Sequence, residues 1–305
     1  MNAAVRSVVR SAIFRGINVI GIRRGYNGLI TEDTRKMDSR SVSDIIHRGG
    51  TILFTARSPE FMTDEGRRKS VETSHKLGLD GIVTIGGDGT YRGAKALSEL
   101  GVPCVGIPAT IDNDIACTDY AIGFDTAINT AVEMVDRLRD TAQSHERCTI
   151  VEVMGRGSGS LALRTGIAVG AAAVIIPEVE YDFEKDIAAE LREAKKIGKK
   201  HSIIVVAEGV GNVKKMADKV QAETGLEARW TVLGHVQRGG SPSVWDRVMA
   251  SEMGHHAVSL LSQGIGNRVV SYKNSKVVDY DIAEGLAMEK PVRCDLVKLA
   301  HEIGH

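Results

Sequence analysis

Several short stretches set charged side chains among glycines or beside one another. In GGDGT (86–90) three glycines surround Asp88 just after an apolar run and just before a helix expected to start near Tyr91. Glycines there let backbone N–H groups approach an anion, a helix N-terminus adds partial positive charge, and an aspartate can hold Mg²⁺ directly or through water. A plain tight turn would need only one or two of those glycines. In PATIDNDIACTD (108–119) the carboxylates Asp112, Asp114 and Asp119 sit close together, with Thr110 and Asn113 between them. Such a loop is either acidic surface with Asx turns or a general base beside a metal-phosphate site, since phosphoryl transfer to a hydroxyl needs a carboxylate to take its proton.

MGRGSGS (154–160) sets Arg156 between glycines, free to reach a transferring phosphate, although a glycine-rich helix start needs no function. EARWTVLGHVQRGGSP (227–242) brings Arg229, His235 and Arg238 near one strand and its following loop. His235 and Arg238, three apart, can share a phosphate; each alone reads as a surface residue. Glu208 closes a very apolar run, where an acid is either capped by backbone N–H groups or accepts hydroxyl protons from a sugar.

Those loops need a scaffold, and the pattern of apolar runs supplies one. Strands are expected at Asn18–Ile22, Thr51–Phe54, Gly81–Ile85, Cys104–Ile107, Thr149–Met154, Ala173–Ile176, Ser202–Ala207 and Thr231–Leu233. Most are continuously apolar rather than alternating, which suits parallel strands covered by helices on both faces, and a doubly wound α/β protein follows. Ligands in such sheets bind beyond the carboxyl ends of the strands, where these loops lie. The chain opens on a helical stripe, Val5, Val8, Val9, Ala12 and Ile13, with Gly16 placed to stop it.

Composition narrows the function classes. The 305 residues are long enough for two domains; 39 Lys plus Arg balance 39 Asp plus Glu, so no global field argues for nucleic acid or an anionic membrane. Any anion site must be local. Cys104, Cys117, Cys148 and Cys294 show no paired spacing, which argues against disulfides or a zinc site and for a reducing, cytoplasmic compartment. No apolar run reaches membrane-spanning length.

In this order, RGG, ARSPEF, GGDGTYRGA, TIDNDI, TDYAIGFDTA, RDTAQSHER, VEVMGRGSG, GKKHSIIVVAEGV, TVLGHVQRGGSP and DRVMAS resemble the bacterial ATP-dependent 6-phosphofructokinases over nearly the whole chain. The resemblance implies two Rossmann-like α/β domains with largely parallel sheets: residues 1–123 with 237–287 binding ATP, and 124–236 with 288–305 binding fructose 6-phosphate and an effector. It implies a homotetramer that transfers the γ-phosphoryl of MgATP to O1 of fructose 6-phosphate. Asp112 then becomes the base, supported by Thr110 and Asp114. Asp88 serves Mg²⁺, and Gly87, Gly89, Thr90 and Gly93 line the nucleotide phosphates, with Tyr26, Arg57 and Ser58 beside ATP. Arg57 and Arg156 neutralise the moving phosphoryl. The sugar phosphate falls to Ile111, Met154, Gly155, Arg156, Glu208, His235 and Arg238, joined by Arg147 and Arg229 from a neighbouring subunit.

Two departures from the family pattern stand out. In the family a strand and a glycine-rich loop precede the helix that begins MNAA, so this chain is expected to bind ATP less well than a version extended upstream, while still binding the sugar phosphate. Among residues matching the effector pocket for ADP or phosphoenolpyruvate, Arg6, Arg10, Arg139, Gly170 and Lys199 are present, but Ser39, Ala172 and Ile197 stand in for an arginine, an acid and a lysine. Weak allostery is expected. A pyrophosphate-dependent enzyme is the close alternative; there an acid follows GGD and a lysine precedes the TIDND-type loop, where this chain has Gly89 and Ala109. The other alternative is a non-catalytic sugar-phosphate-binding subunit.

Overall fold

A computed structural model describes residues 1–304. Its helices are α1 Asn2–Phe14, α2 Gly25–Ile30, α3 Asp64–Lys76, α4 Asp88–Glu99, α5 Phe124–His145, α6 Ser160–Ala168, α7 Ala189–Lys196, α8 Val213–Thr224, α9 Val244–Ser262, α10 Ile282–Ala287 and α11 Cys294–Glu302. The strands are β1 Val19–Ile22, β2 Thr34–Met37, β3 Ile82–Gly86, β4 Cys104–Pro108, β5 Cys148–Val153, β6 Ala173–Ile175, β7 Ser202–Ala207, β8 Ala228–Val232, β9 Arg268–Lys273 and β10 Lys276–Asp281. The chain divides into two compact units: Met1–Thr110 with Ile115–Gly123 and Ser241–Lys290, and Ile111–Asp114 with Phe124–Gly240 and Pro291–His305. Residues 111–114, assigned by sequence to the first domain, thus group with the second. The later crossings fall at Gly240–Ser241 and Lys290–Pro291, against the expected 236/237 and 287/288.

In the first unit a four-stranded sheet runs β10-β9-β4-β3, and β1 and β2 form a separate antiparallel pair. β3 and β4 are parallel with Gly86 opposite Pro108, so GGDGT and the segment leading to Asp112 leave adjacent strand ends. β4 and β9 are parallel, β9 and β10 antiparallel. Tyr91, Leu97, Cys104, Cys117 and Ile282 are fully buried against this sheet. β3 is the sheet edge, and a cavity of about 1490 Å³ lies along it, lined by Val5 and Val9 of α1, Val19 of β1 and Val83 of β3.

The second unit is parallel throughout, in the order β6-β7-β5-β8. Val153 lies opposite Ala207 and Glu152 opposite Val232, so the loops after β5, β7 and β8 leave one end of the sheet. β7 is buried at every residue, as a continuously apolar central strand must be.

One expectation fails and two shift. Thr51–Phe54 is not a strand: the Asn2 side chain accepts from the Ile52 N–H at 2.7 Å, the Phe54 N–H turns back to Thr51, and Phe54 has φ +58. These amides are taken by a side chain and a turn rather than a ladder. The sheets are largely parallel as expected; the antiparallel exceptions, β1–β2 and the β9–β10 hairpin, have strands that are short or polar and therefore carry little apolar signal. α4 begins at Asp88, not Tyr91, and β8 begins at Ala228 rather than Thr231. The opening helix ends one residue before Arg15, with Gly16 at φ +74.

Candidate active site

In the second unit the loop after β5 is shaped by Gly155. Its φ is +143, and a Cβ there would stand 2.3 Å from the Ser158 carbonyl oxygen, whose own N–H donates to Gly155 at 2.8 Å. Only glycine fits this turn. The next residue, Arg156, has φ +56 and donates its backbone N–H to Glu208 Oε1. The Glu208 N–H in turn donates to the Val153 carbonyl at 2.9 Å, so the two strand ends are cross-tied. One Glu208 oxygen thus receives the backbone cap that the sequence allows. Close approach also governs Gly209, where a Cβ would meet the Arg156 carbonyl oxygen at 2.7 Å.

Against this loop sits Asp112, only 6% exposed, with Arg156 Nε 3.9 Å from its Oδ2. Burial raises the Asp112 pKa above the ordinary aspartate value; Asp114 and Glu208 push the same way, and the Arg156 and Arg238 guanidiniums oppose them. Ile111 and Asp114 flank it, half-buried. A desolvated carboxylate among two acids and two arginines can take a proton and release it. Asp119 does not join this cluster: it is exposed and pairs with Lys273 at 3.0 Å.

His235 and Arg238 occupy a 3-10 turn, Gly234–Arg238, directly after β8. With three residues per turn the two side chains eclipse, so both exposed side chains share one side. Gln237, buried between them in sequence, was not singled out from the sequence. Its side-chain oxygen accepts from Met154 N at 3.3 Å and its amide donates to the Gly234 carbonyl at 3.0 Å, tying the turn to the Met154–Arg156 loop. A polar residue inside GHVQR is its only sequence trace.

Arg147 and Arg229 lie elsewhere. Arg229 pairs in register with Thr149, five residues from Met154 along β5 and so roughly 16 Å away at the opposite strand end. Both arginines face Glu227: Arg147 Nε is 2.9 Å from Oε2 and Arg229 donates to Oε1 at 2.7 Å.

In the first unit GGDGT is itself the opening turn of α4, capped by Gly87. Asp88 Oδ2 accepts from Arg92 at 2.8 Å and the side chain stays 42% exposed. A Cβ on Gly89 would meet nothing within 4 Å, so the space before the turn is open; one on Gly87 would touch Thr110 at 3.8 Å. Tyr26 supports the helix from beneath: its hydroxyl donates to the Thr90 carbonyl at 2.6 Å, its ring fills the space a Gly93 side chain would need, and it stacks on Phe61 at 4.2 Å. Burial pushes its hydroxyl pKa up. Arg57 is exposed and, among the described residues, forms no ion pair, while Ser58 Oγ is buried without a partner.

Among the described residues no group of three metal-ligating side chains exists. Mg²⁺ held by phosphates needs only one or two carboxylates, and Asp88, half-exposed at an anion-favouring helix start, fits that requirement. Of the effector candidates in the second unit, Arg139 donates to the Val169 carbonyl beside Gly170, and Lys199 donates to the Gly304 carbonyl at 3.2 Å. Burial and these two cations lower the pKa of nearby His201. Ala172 is buried and Ile197 is 69% exposed, neither offering charge. Arg6 and Arg10 lie on α1 of the first unit, Arg10 exposed and Arg6 half-buried. No helix is long and apolar enough to cross a membrane among the described residues.

The phosphofructokinase family model matches residues 1–261. ATP-dependent 6-phosphofructokinases of Bacillus velezensis and Bacillus subtilis are each 54% identical over 303 residues, 99% of this chain and 95% of theirs. Among solved structures, phosphofructokinase from Saccharomyces cerevisiae aligns over 100% of this chain with TM-score 0.89 and 33% identity; this chain spans 46% of that one. A pyrophosphate-dependent phosphofructokinase from Marinobacter aquaeolei shares the fold over 98% of this chain and 87% of its own, with TM-score 0.83 and 20% identity.

Proposed function

The chain belongs to the phosphofructokinase family, and from that premise we propose that it phosphorylates O1 of fructose 6-phosphate with ATP, giving fructose 1,6-bisphosphate and ADP. The carrying observation is Asp112, buried 3.9 Å from Arg156 on a loop cross-tied by Glu208. Its raised proton affinity suits a base that strips the sugar hydroxyl as its oxygen attacks the γ-phosphorus and the bond to the ADP oxygen breaks. Thr110 and Asp114 support it. Arg156, its backbone pinned and its guanidinium exposed, offers positive charge to the moving phosphoryl, aided by Arg57.

The second unit is the sugar-phosphate domain in this reading. His235 and Arg238 take the 6-phosphate, Met154 and Gly155 contribute backbone, and the Glu208 oxygen not used by Arg156 accepts a sugar hydroxyl. The first unit is the ATP domain, with Gly87, Gly89, Thr90 and Gly93 at the phosphates and Tyr26, Arg57 and Ser58 beside them. Asp88 would hold Mg²⁺, which would supply positive charge to the nucleotide phosphates. Open space at Gly89 favours ATP over pyrophosphate as donor, because no acidic side chain fills the room for phosphates.

Arg147 and Arg229 lie at the far strand end, so for them to hold the same phosphate they must come from another copy of the chain; a homotetramer with shared sites is the corresponding assembly. Free cysteines suit a reducing cytoplasm. ADP or phosphoenolpyruvate binds weakly at Arg6, Arg10, Arg139, Gly170 and Lys199. The test is turnover of fructose 6-phosphate with each donor. Mg²⁺-dependent production of ADP is expected with ATP and none with pyrophosphate; turnover with pyrophosphate alone would overturn the assignment.

A further inference from the structure

Arg147 and Arg229 are brought together by one acid, and that acid has no role in anything described so far. Arg147 precedes β5 and Glu227 precedes β8; pairing of Cys148 with Ala228 sets them side by side, and the Cys148 N–H donates to the Glu227 carbonyl at 2.9 Å. The Glu227 carboxylate then divides its oxygens, Oε2 lying 2.9 Å from Arg147 Nε and Oε1 accepting from Arg229 at 2.7 Å. Two guanidiniums this close repel unless an anion lies between them. Arg147 first, then Arg229, holds the Glu227 pKa below the usual glutamate range, so the bridge stays charged at neutral pH.

The nitrogens engaged matter. Arg147 Nε lies 2.9 Å from the carboxylate as an ion pair without a hydrogen bond, on a side chain 25% exposed, whereas Arg229 is held by one terminal nitrogen and is 65% exposed. A shared carboxylate of this kind holds two guanidiniums together as a fork while leaving N–H groups of the exposed Arg229 for another anion. The strand backbones fix the base of the clamp, so the fork exists before any ligand arrives, and its ordering entropy is already spent.

We propose that Glu227 is a positioning residue that preorganises Arg147 and Arg229 as a single receptor for the phosphate of the sugar substrate. This rests on the reading that those two arginines serve that phosphate. Glu227→Gln removes the bridging charge in nearly the same volume, while Glu227→Asp keeps the charge on a shorter arm. Steady-state kinetics of the full chain, with Arg147→Ala and Arg229→Ala alongside, is the experiment. Loss of the fork is expected to raise KM for fructose 6-phosphate about tenfold in Glu227→Gln, with KM for ATP and kcat within about threefold, and Glu227→Asp is expected to recover part of the loss. A role confined to folding would instead lower the melting temperature and the active fraction without moving KM. If the arginine variants raise KM and Glu227→Gln leaves it unchanged or lowers it, the positioning role is wrong and Glu227 is a bystander or a competitor. If the arginine variants themselves leave KM unchanged, the reading beneath it fails.

Discussion

Replacing Asp112 with asparagine removes the proton acceptor while keeping shape and burial. A general base contributes about 10²–10⁴ in rate, so kcat should fall by that factor, which corresponds to roughly 2.7–5.4 kcal/mol of barrier. Binding should respond far less. The Arg156 partner is 75% exposed and 3.9 Å away, a contact of the kind that contributes roughly 0–1 kcal/mol, so KM for fructose 6-phosphate should move less than about fivefold. Stability should hold or rise. Burial raises the folded-state pKa of Asp112, so the folded chain binds that proton more tightly than the unfolded one, and the favourable contribution is complete below the unfolded pKa and lost as pH climbs through the folded one. At neutral pH the ionised acid therefore weighs against folding, and the neutral amide relieves it. Coupled detection of ADP, a pH profile and a thermal melt on both proteins test all three. The wild-type acid limb, set by a carboxyl titrating above the ordinary aspartate value, should vanish from the residual activity of the variant. A kcat within tenfold of wild type in a folded variant would refute the assignment of the base.

Gly155→Ala forces a Cβ to within 2.3 Å of the Ser158 oxygen at φ +143, so it should destabilise by at least ~2 kcal/mol, lower Tm by roughly 4–8 °C and raise KM for the sugar phosphate; an unchanged melt would mean the loop rearranges freely. Gln237→Leu strands the buried Met154 N–H and Gly234 carbonyl, so a loss of about 1–3 kcal/mol is expected, together with a higher KM for fructose 6-phosphate and little change for ATP; equal effects on both substrates would contradict a local tie. Gly89→Asp adds a side chain where nothing lies within 4 Å, so Tm should stay constant while KM for ATP rises, and unchanged ATP kinetics would show that the phosphates do not pass there.

What could be read from the sequence were features that one stretch of chain decides for itself. β7 is six consecutive buried residues and reads as a central strand without help from elsewhere. GGDGT and MGRGSGS declare backbone that must turn tightly at a strand end, because Cβ atoms at Gly86 or Gly155 would collide with their own neighbours. The helical stripe of Val5, Val9 and Ala12 is buried as its spacing requires. Resemblance then attached roles to these positions, Asp112 among them.

Tertiary structure alone decided the partners. Glu227 meets Arg147 only because β5 and β8 pair in one register, and a shift of a single residue would turn one of the two side chains to the other face. The same pairing carries Arg229 of β8 to the strand end opposite Met154, although the resemblance assigns both to one sugar phosphate. Gln237 reveals its purpose only once the Met154 N–H lies beside it. Asp119 leaves the acidic loop for Lys273 on the β9–β10 hairpin, a hairpin too polar to announce itself. The raised pKa of Asp112 likewise belongs to no segment, since burial, Asp114, Glu208 and two arginines from separate strand ends all contribute to it. Periodicity and glycine are local constraints and survive in one dimension. Hydrogen-bond partners, charge neighbours and desolvation are set by which distant strands pack together, and they exist only after the chain has folded.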